Sequence, residues 1–537
     1  MHFEQAFILL FAIATAVAIA ARYFRIPYTV ALVVAGLILG VAHAFEPPHL
    51  TKELLFAIIL PGLVFEAAFH LEFRQFWKNK VAIHSLAIPG VVASIWLTAA
   101  ILTPVVDGLH FVQGFSFIHA LVFASIIVAT DPIAVVSLFK SLGAPKRLAV
   151  LVEGESLLND GTGVVLFTLV LGVATGGSFT LSGAALEFVK VAGMGALIGG
   201  VMGYTISQLI RRIDDATVEI TLTVIAAYGS FVAAEHFHYS GVIATVVAGM
   251  VCGNWAAHVG MSPTTRVAVE SFWEYLAFAL NSVVFLLIGL EVQLSSLLAS
   301  WKPILVGFMA VVTGRALVVY AVSALLRPTA ERVPWSWSAV LTWSGLRGAI
   351  SMVLALSLPA NFPYRELLIN MTFGVVVLSI IVQGLSMAPV LRRLGVTGMV
   401  DAYQGQYELA RGRLSSAVAA LSALQGLRSE RTMVGAVLED LERDYQKKIS
   451  EAEAELRALQ QQSSRFREEE HQEAIRRTLI VEKEALIKDF QKGAIGKETF
   501  EHLMAEVDAR MEKAKLEEAP PPQTPQSPEQ ASAPDKA

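Results

Sequence analysis

From about residue 6 to residue 390 the chain is a succession of apolar runs, each close to the thickness of a bilayer, joined by short polar connections. A hydrocarbon core of about 30 Å takes roughly 20 helical residues to cross. Within it every backbone N–H and C=O must be paired inside the protein, which helices do segment by segment. About thirteen runs meet this description, at approximately 6–21, 28–44, 54–70, 81–104, 114–139, 148–173, 186–210, 217–236, 240–257, 270–290, 302–326, 335–358 and 366–390. Only 16% of the 537 residues are charged, too few for a soluble chain of this length. The fold class expected is therefore an all-α polytopic membrane protein. The first run is followed by its arginines, Arg22 and Arg25, rather than preceded by them. It reads as the first span and not as a secretory leader.

Alternate connections carry the basic residues. One set holds Arg22 and Arg25; Arg74, Lys78 and Lys80; Lys140, Lys146 and Arg147; Arg211 and Arg212; Arg266; Arg327 and Arg332; Arg392 and Arg393. The opposite set holds only Lys52, Lys302 and Arg365, with Lys190 near one edge. The positive-inside rule then places the N-terminus outside and the C-terminus in the cytoplasm. The expected location is a plasma membrane, such as a bacterial inner membrane, and the expected surroundings are lipid bilayer. The net charge of −5 gives no sign of nucleic-acid binding, and the single cysteine, Cys252, excludes a disulfide framework and a cysteine metal site.

Composition divides the chain into a membrane domain at 1–398, a helical region at 399–518 and a tail at 519–537. The second is rich in Glu, Lys, Arg, Ala, Gln and Leu, with Leu438, Leu441, Tyr445 and Ile449 at helical spacing. It reads as a cytosolic regulatory module. The tail is rich in proline and almost free of apolar residues, which predicts disorder.

Two acidic clusters interrupt the apolar pattern. Ala129-Thr130-Asp131-Pro132 lies inside the fifth run, and Glu153-Gly154-Glu155-Ser156-Leu157-Leu158-Asn159-Asp160 inside the sixth. Ionisable groups at membrane depth cost roughly 2.5–3.5 kcal/mol each and are functional by default. Pro132 disfavours helix at Asp131, so the fifth span should break there and free its backbone groups to line a cavity. Ser156 and Asp160 share one helix face, and Glu155 and Asn159 share the adjacent one. Thr130, Ser156 and Asp160 offer the neutral and anionic oxygens that a hard monovalent cation accepts. A lone carboxylate in poorly hydrated surroundings holds either a proton or a cation, and that competition is the logic of antiport. The run 335–358 is broken in turn by Gly345-Leu346-Arg347-Gly348, seven spans after the first break. Paired breaks in opposed halves point to inverted repeats, with the substrate site where they meet.

Other intramembrane charges are read less sharply. Glu66 is taken equally as a site acid or as an interfacial side chain, since His70 and Glu72 follow. Arg347 and Arg315 need partners at membrane depth. Glu155 is the partner expected for Arg347, while the role of Arg315 stays open. Gly195, Gly199 and Gly203 are spaced for close helix packing. No nucleophile–base set and no phosphate-binding loop occurs, so neither an enzyme nor a bound cofactor is expected.

The segments Ala129-Thr130-Asp131-Pro132, Glu155-Ser156-Leu157-Leu158-Asn159-Asp160-Gly161, Phe285-Leu286-Leu287-Ile288-Gly289-Leu290 and Trp343-Ser344-Gly345-Leu346-Arg347-Gly348-Ala349 resemble the monovalent cation:proton antiporter family in its sodium/proton exchanger branch. In order and spacing they extend over roughly three quarters of the chain. The resemblance implies thirteen helices in two inverted six-helix repeats, a homodimer, and a core domain moving against a dimerisation domain. It implies Asp160 as the ion-binding acid, surrounded by Thr130, Asp131, Ser156, Asn159 and Glu66, with a Glu155–Arg347 pair beside it. An Asn–Asp pair in the sixth span resembles the electroneutral branch. The expected function is exchange of a monovalent cation, sodium before lithium or potassium, for a proton. The alternatives are a potassium/proton antiporter or a cation channel gated by the cytosolic helices.

Overall fold

The computed structural model describes residues 3–24, 27–42, 55–108, 114–177, 180–213, 215–291, 294–396, 402–429 and 435–462, with scattered positions from 478 to 510. The proline-rich tail at 519–537, most of 463–518, and Arg25 and Lys52 lie outside these residues. The chain divides into two compact units, Met1–Val400 and Asp401–Ala537.

Among the described residues the first unit is helical throughout. Its helices are α1 (Phe3–Phe24), α2 (Tyr28–Val41), α3 (Leu60–His70), α4 (Phe73–Lys78), α5 (Lys80–Ala87), α6 (Pro89–Gly108), α7 (Phe117–Ile127), α8 (Ile133–Leu142), α9 (Lys146–Ala174) and α10 (Leu181–Ile210). They continue with α11 (Ala216–His236), α12 (Gly241–Val251), α13 (Pro263–Glu291), α14 (Leu294–Ala299), α15 (Trp301–Leu325), α16 (Trp335–Trp343), α17 (Ala349–Leu356), α18 (Arg365–Leu378) and α19 (Gly384–Arg393). Seven stretches are long and apolar enough to cross a membrane, among them Lys146–Ala174, Thr264–Glu291 and Trp301–Leu325. The remaining apolar helices are shorter, and several are halves of interrupted spans.

The interruptions have identifiable causes. The fifth apolar run separates into α7 and α8 around Asp131-Pro132, and the run 335–358 into α16 and α17 around Gly345–Gly348. A third break, between α5 and α6, precedes Pro89 and was not expected. There the carbonyl of Ala87 accepts the hydroxyl of Thr162 from α9 at 2.8 Å, which matches one of the backbone groups the break frees.

Small residues let neighbouring backbones approach. Gly199 on α10 faces Ala244 on α12 so closely that a Cβ there would stand 2.0 Å from the Ala244 carbonyl oxygen. Gly195 and Gly203 meet Ser240 and Ala248 in the same way, which is the packing their spacing predicts. One core gathers Leu32, Phe123, Ile126, Leu286, Met371 and Val375; a second gathers Val64, Leu151, Leu157, Leu341 and Leu346. Together they clasp α7–α9 and α16–α17 from both sides. Cys252 is fully buried among Phe65, Ala227 and Trp273.

The second unit contains α20 (Ala402–Ser429) and α21 (Gly435–Gln462), packed through Tyr407, Ala410, Leu414, Leu456 and Leu459. Leu438 is buried as its helical spacing predicts, but Leu441 is exposed, so that stripe is not a continuous packed seam.

Candidate ion site at the crossing of two broken helices

The two breaks meet. The backbone N–H of Asp131 donates to the carbonyl of Leu346 at 2.8 Å. The first half of one broken helix, α7, packs beside the second half of the other, α17. The broken helices therefore run in opposite directions.

A crossing of this kind leaves carbonyls free at two helix C-termini and amides free at two N-termini. The charges are distributed to suit them. Arg347 donates through Nη1 to the carbonyls of Val128 and Ala129 at 2.6 and 3.3 Å, just beyond the C-terminus of α7. Arg315, from α15, donates through Nε and Nη2 to the carbonyl of Leu341 near the end of α16, at 3.1 and 2.9 Å. Asp131 accepts the N–H of Ile133 at 3.0 Å, capping α8. It also lies against Gly348 at the start of α17, where a Cβ would approach its Oδ2 to 2.7 Å. Only glycine admits the carboxylate so close to that second N-terminus.

α9 passes beside the crossing and presents it with polar side chains on two faces. On one face, Ser156 donates to the carbonyl of Thr130 in a short hydrogen bond, and the Thr130 hydroxyl lies 3.2 Å from Ser156 Oγ. Asp160 follows one turn later. Its Oδ1 is buried and has no hydrogen-bond partner among the described residues. On the other face, Glu155 is 3% exposed and is gripped by both terminal nitrogens of Arg315, at 3.0 and 2.9 Å. Asn159 is fully buried there, donating to the carbonyl of Val128 at 3.0 Å and to Thr130 Oγ1 at 3.2 Å.

The Glu155–Arg347 pair expected from sequence is not formed. Arg315 takes the carboxylate, and Arg347 is spent on the carbonyls of the α7 break. The reason is topological: α15 brings Arg315 alongside α9, whereas Arg347 lies in the second break and faces the first. Both arginines, Glu155 and Asn159 border one small void on the far side of α9.

A cavity of about 440 Å³ opens on the near side. Thr130, Asp131, Ser156, Asp160 and Glu66 all line it, so the structure brings together five of the six expected site residues. Asn159 is the exception, since it borders the void behind. From the crossing the cavity extends past Glu66, His70, Lys140, Glu153 and Glu274. These positions lie toward the ends of α3 and α8 and the starts of α9 and α13, the end of the bundle that carries Lys146, Arg147 and Arg266. Glu66 holds His70 one turn on, with Oε1 at 3.3 Å from Nδ1.

Several lining residues escaped sequence reasoning. One is Glu153 of the acidic cluster, which stands with Ser156 and Asp160 at i, i+3 and i+7 and so shares their face. Glu274 and Asn281 have the same relation on α13, and both reach the cavity, opposite Thr29 and Tyr28. Their face could have been found from that spacing. The facing partner could not.

An acid with an unpartnered oxygen on the wall of a cavity, where two interrupted and opposed helices meet, is the arrangement of a secondary transporter. Residues 8–393 match the family described as sodium/hydrogen exchanger, transmembrane. The chain belongs to that family. It is 40% identical over 389 residues to the Na(+)/H(+) antiporter ApNhaP of Aphanothece halophytica, covering 72% of this chain and 73% of that one. It is 36% identical over 520 residues to the Na(+)/H(+) antiporter NhaG of Bacillus atrophaeus, covering 94% of each. Among solved structures, the sodium proton antiporter MjNhaP1 of Methanocaldococcus jannaschii shares the fold, with a TM-score of 0.60 at 18% identity over 73% of this chain and 97% of that one.

Proposed function

We propose that this protein exchanges sodium for protons across the membrane, with the two ions competing for Asp160. The observation that carries the reading is the buried, unpartnered Asp160 oxygen in a residue that lines one cavity with Thr130, Ser156 and Asp131. A dehydrated sodium ion needs several oxygens, and hydroxyls, a carbonyl and carboxylates stand here within one helical turn of each other. A carboxylate bound to sodium has no need of a proton, and a protonated one has little to offer sodium. Arrival of one ion therefore releases the other. The naming of the relatives as sodium/proton antiporters supports this reading over a channel or a potassium exchanger.

The finer features follow the same reading. Asp131 offers a second carboxylate whose charge is partly spent on two helix N-termini, which leaves one acid, Asp160, to change its load. One cation against one proton is then the natural stoichiometry. Thirteen crossings, an N-terminus outside, a cytoplasmic C-terminus and a homodimer complete the proposal. In that orientation the cavity opens to the cytoplasm, and alternating access requires the crossing to be carried past a fixed partner domain.

The test is proton movement in liposomes containing the purified full chain, followed with a pH dye on addition of sodium, lithium or potassium, with and without a clamp on membrane potential. Sodium-driven exchange that is indifferent to potential is expected. Acidification should raise the half-saturating sodium concentration and leave the maximal rate nearly unchanged over the range where competition holds. Proton movement without cation dependence, or none at all, would refute the proposal.

A further inference from the structure

The turn after α15 carries a basic and aromatic pocket that the ion path does not use. The chain is held there by hydrogen bonds from the N–H of Thr329 to the carbonyl of Leu326 at 3.0 Å and from the N–H of Arg332 to the carbonyl of Thr329 at 3.3 Å. Glu331 pins the turn inward. Its carboxylate accepts the N–H of Ala82 at 2.8 Å, and its carbonyl accepts Arg147 Nη2 at 3.0 Å. With the acid turned in, its neighbours Arg327 and Arg332 are left exposed on the outside. Among the described residues neither lies within ion-pair distance of a carboxylate.

Between them opens a pocket of about 430 Å³, lined by Arg327, Arg332, Val333, Pro334 and Trp335. That is within the range of about 300–1,000 Å³ found for ligand sites. The Arg327 guanidinium stacks 4.3 Å from the centre of the Trp335 ring, and Trp335 in turn stacks on Tyr320 with centroids 5.5 Å apart. A guanidinium held over an aromatic ring keeps N–H groups to offer a phosphate. Tryptophan and tyrosine at this level mark the bilayer–water interface. Directly along α15 from the pocket runs an exposed apolar stripe: Leu325 is 75% exposed, Leu317 52%, Met309 55% and Leu305 46%.

We propose that this pocket binds the headgroup of an anionic phospholipid, its phosphate between Arg327 and Arg332 and its acyl chains along the α15 stripe. The charge selects an anion, the aromatic pair sets the depth, and the stripe distinguishes a lipid from a free phosphate ion. The pocket joins α15, whose Arg315 holds Glu155, to α16, whose last carbonyls the same arginine caps. A lipid seated there stabilises the folded state by binding it alone.

The experiment titrates the purified full chain, in a neutral detergent, with phosphatidylglycerol, phosphatidylcholine or sodium phosphate. Melting temperature and lipid retention by native mass spectrometry are read together, and neither requires transport. Phosphatidylglycerol is expected to raise the melting temperature and to be retained, and the other two to do neither. In R327Q/R332Q its affinity should fall about thirtyfold, from the loss of two basic contacts. The lipid-free melting temperature should stay where it is. If that variant fails to fold, R327Q and R332Q are read singly, each expected about fivefold weaker. Undiminished binding in the variants, an equal response to phosphatidylcholine, or the same stabilisation by phosphate alone would overturn the assignment.

Discussion

Glu155 and Asp160 stand five residues apart on α9, and both bring a carboxylate oxygen into the buried interior of the membrane domain. Glu155 faces α15 and receives a two-pronged grip from Arg315. Asp160 faces the cavity with a buried oxygen that no described residue satisfies. The difference lies in what the surroundings supply. A buried charge with a matched, hydrogen-bonded partner is inert, and losing the partner is costly. A buried charge with a vacant oxygen, on a residue that lines a cavity, has a free energy that depends on what enters. One helix thus carries a structural acid on one face and a proposed exchangeable one on the other.

The largest effect should come from the cavity face. Asp160→Asn keeps the shape and removes the charge, so cation-driven proton movement in liposomes is expected to fall to the level of empty vesicles while the protein stays folded and monodisperse. Retained sodium-driven exchange would mean the two faces are not functionally distinct.

On the packed face, Arg315→Ala leaves Glu155 buried and unpaired, which should cost about 3–5 kcal/mol of stability, read as a large drop in melting temperature. Adding Glu155→Ala should recover part of it. The coupling between residues 155 and 315 should exceed that between 155 and 347 in matching double-mutant cycles. A larger coupling to Arg347 would restore the pairing that the sequence suggested.

Thr130→Val and Ser156→Ala each remove one neutral oxygen from the cavity side. The half-saturating sodium concentration should rise about tenfold in each, the worth of a single polar contact, and the loss of a buried hydrogen bond among Thr130, Ser156 and Asn159 should also cost about 1 kcal/mol of stability. A shift in stability without a shift in sodium dependence would move these residues to the structural class.

The smallest effect is expected at Asn159. Its amide shares the Val128 carbonyl with Arg347, so Asn159→Ala should cost about 1 kcal/mol of stability and change sodium dependence by no more than about twofold. A strong loss of sodium affinity there would place Asn159 in the ion site despite its position behind the cavity.

Much of this molecule is legible in the chain itself. Apolar run length and scarcity of charge are enough for an all-helical membrane protein, because lipid admits only helices and closed barrels and runs of about 20 apolar residues suit the helix. Pro132, and the glycines flanking Leu346-Arg347, are enough to locate two breaks, because φ restriction, a missing N–H and the absence of a Cβ act locally. The shared face of Ser156 and Asp160 follows from helical periodicity alone. What the sequence could not decide is which distant groups meet. Arg315 and Arg347 look alike in sequence, each an arginine in an apolar run; only the placement of α15 against α9 and of one break against the other gives the first to Glu155 and the second to the carbonyls of Val128 and Ala129. The position of Asn159 behind the cavity, the arrival of Glu153 and Glu274 on its wall, and the inward turn of Glu331 that leaves Arg327 and Arg332 outside were likewise settled by tertiary packing. Local rules determine where a helix starts, breaks and turns its polar face. The partner of a buried charge depends on neighbours a hundred or more residues away, and no spacing along the chain encodes that distance.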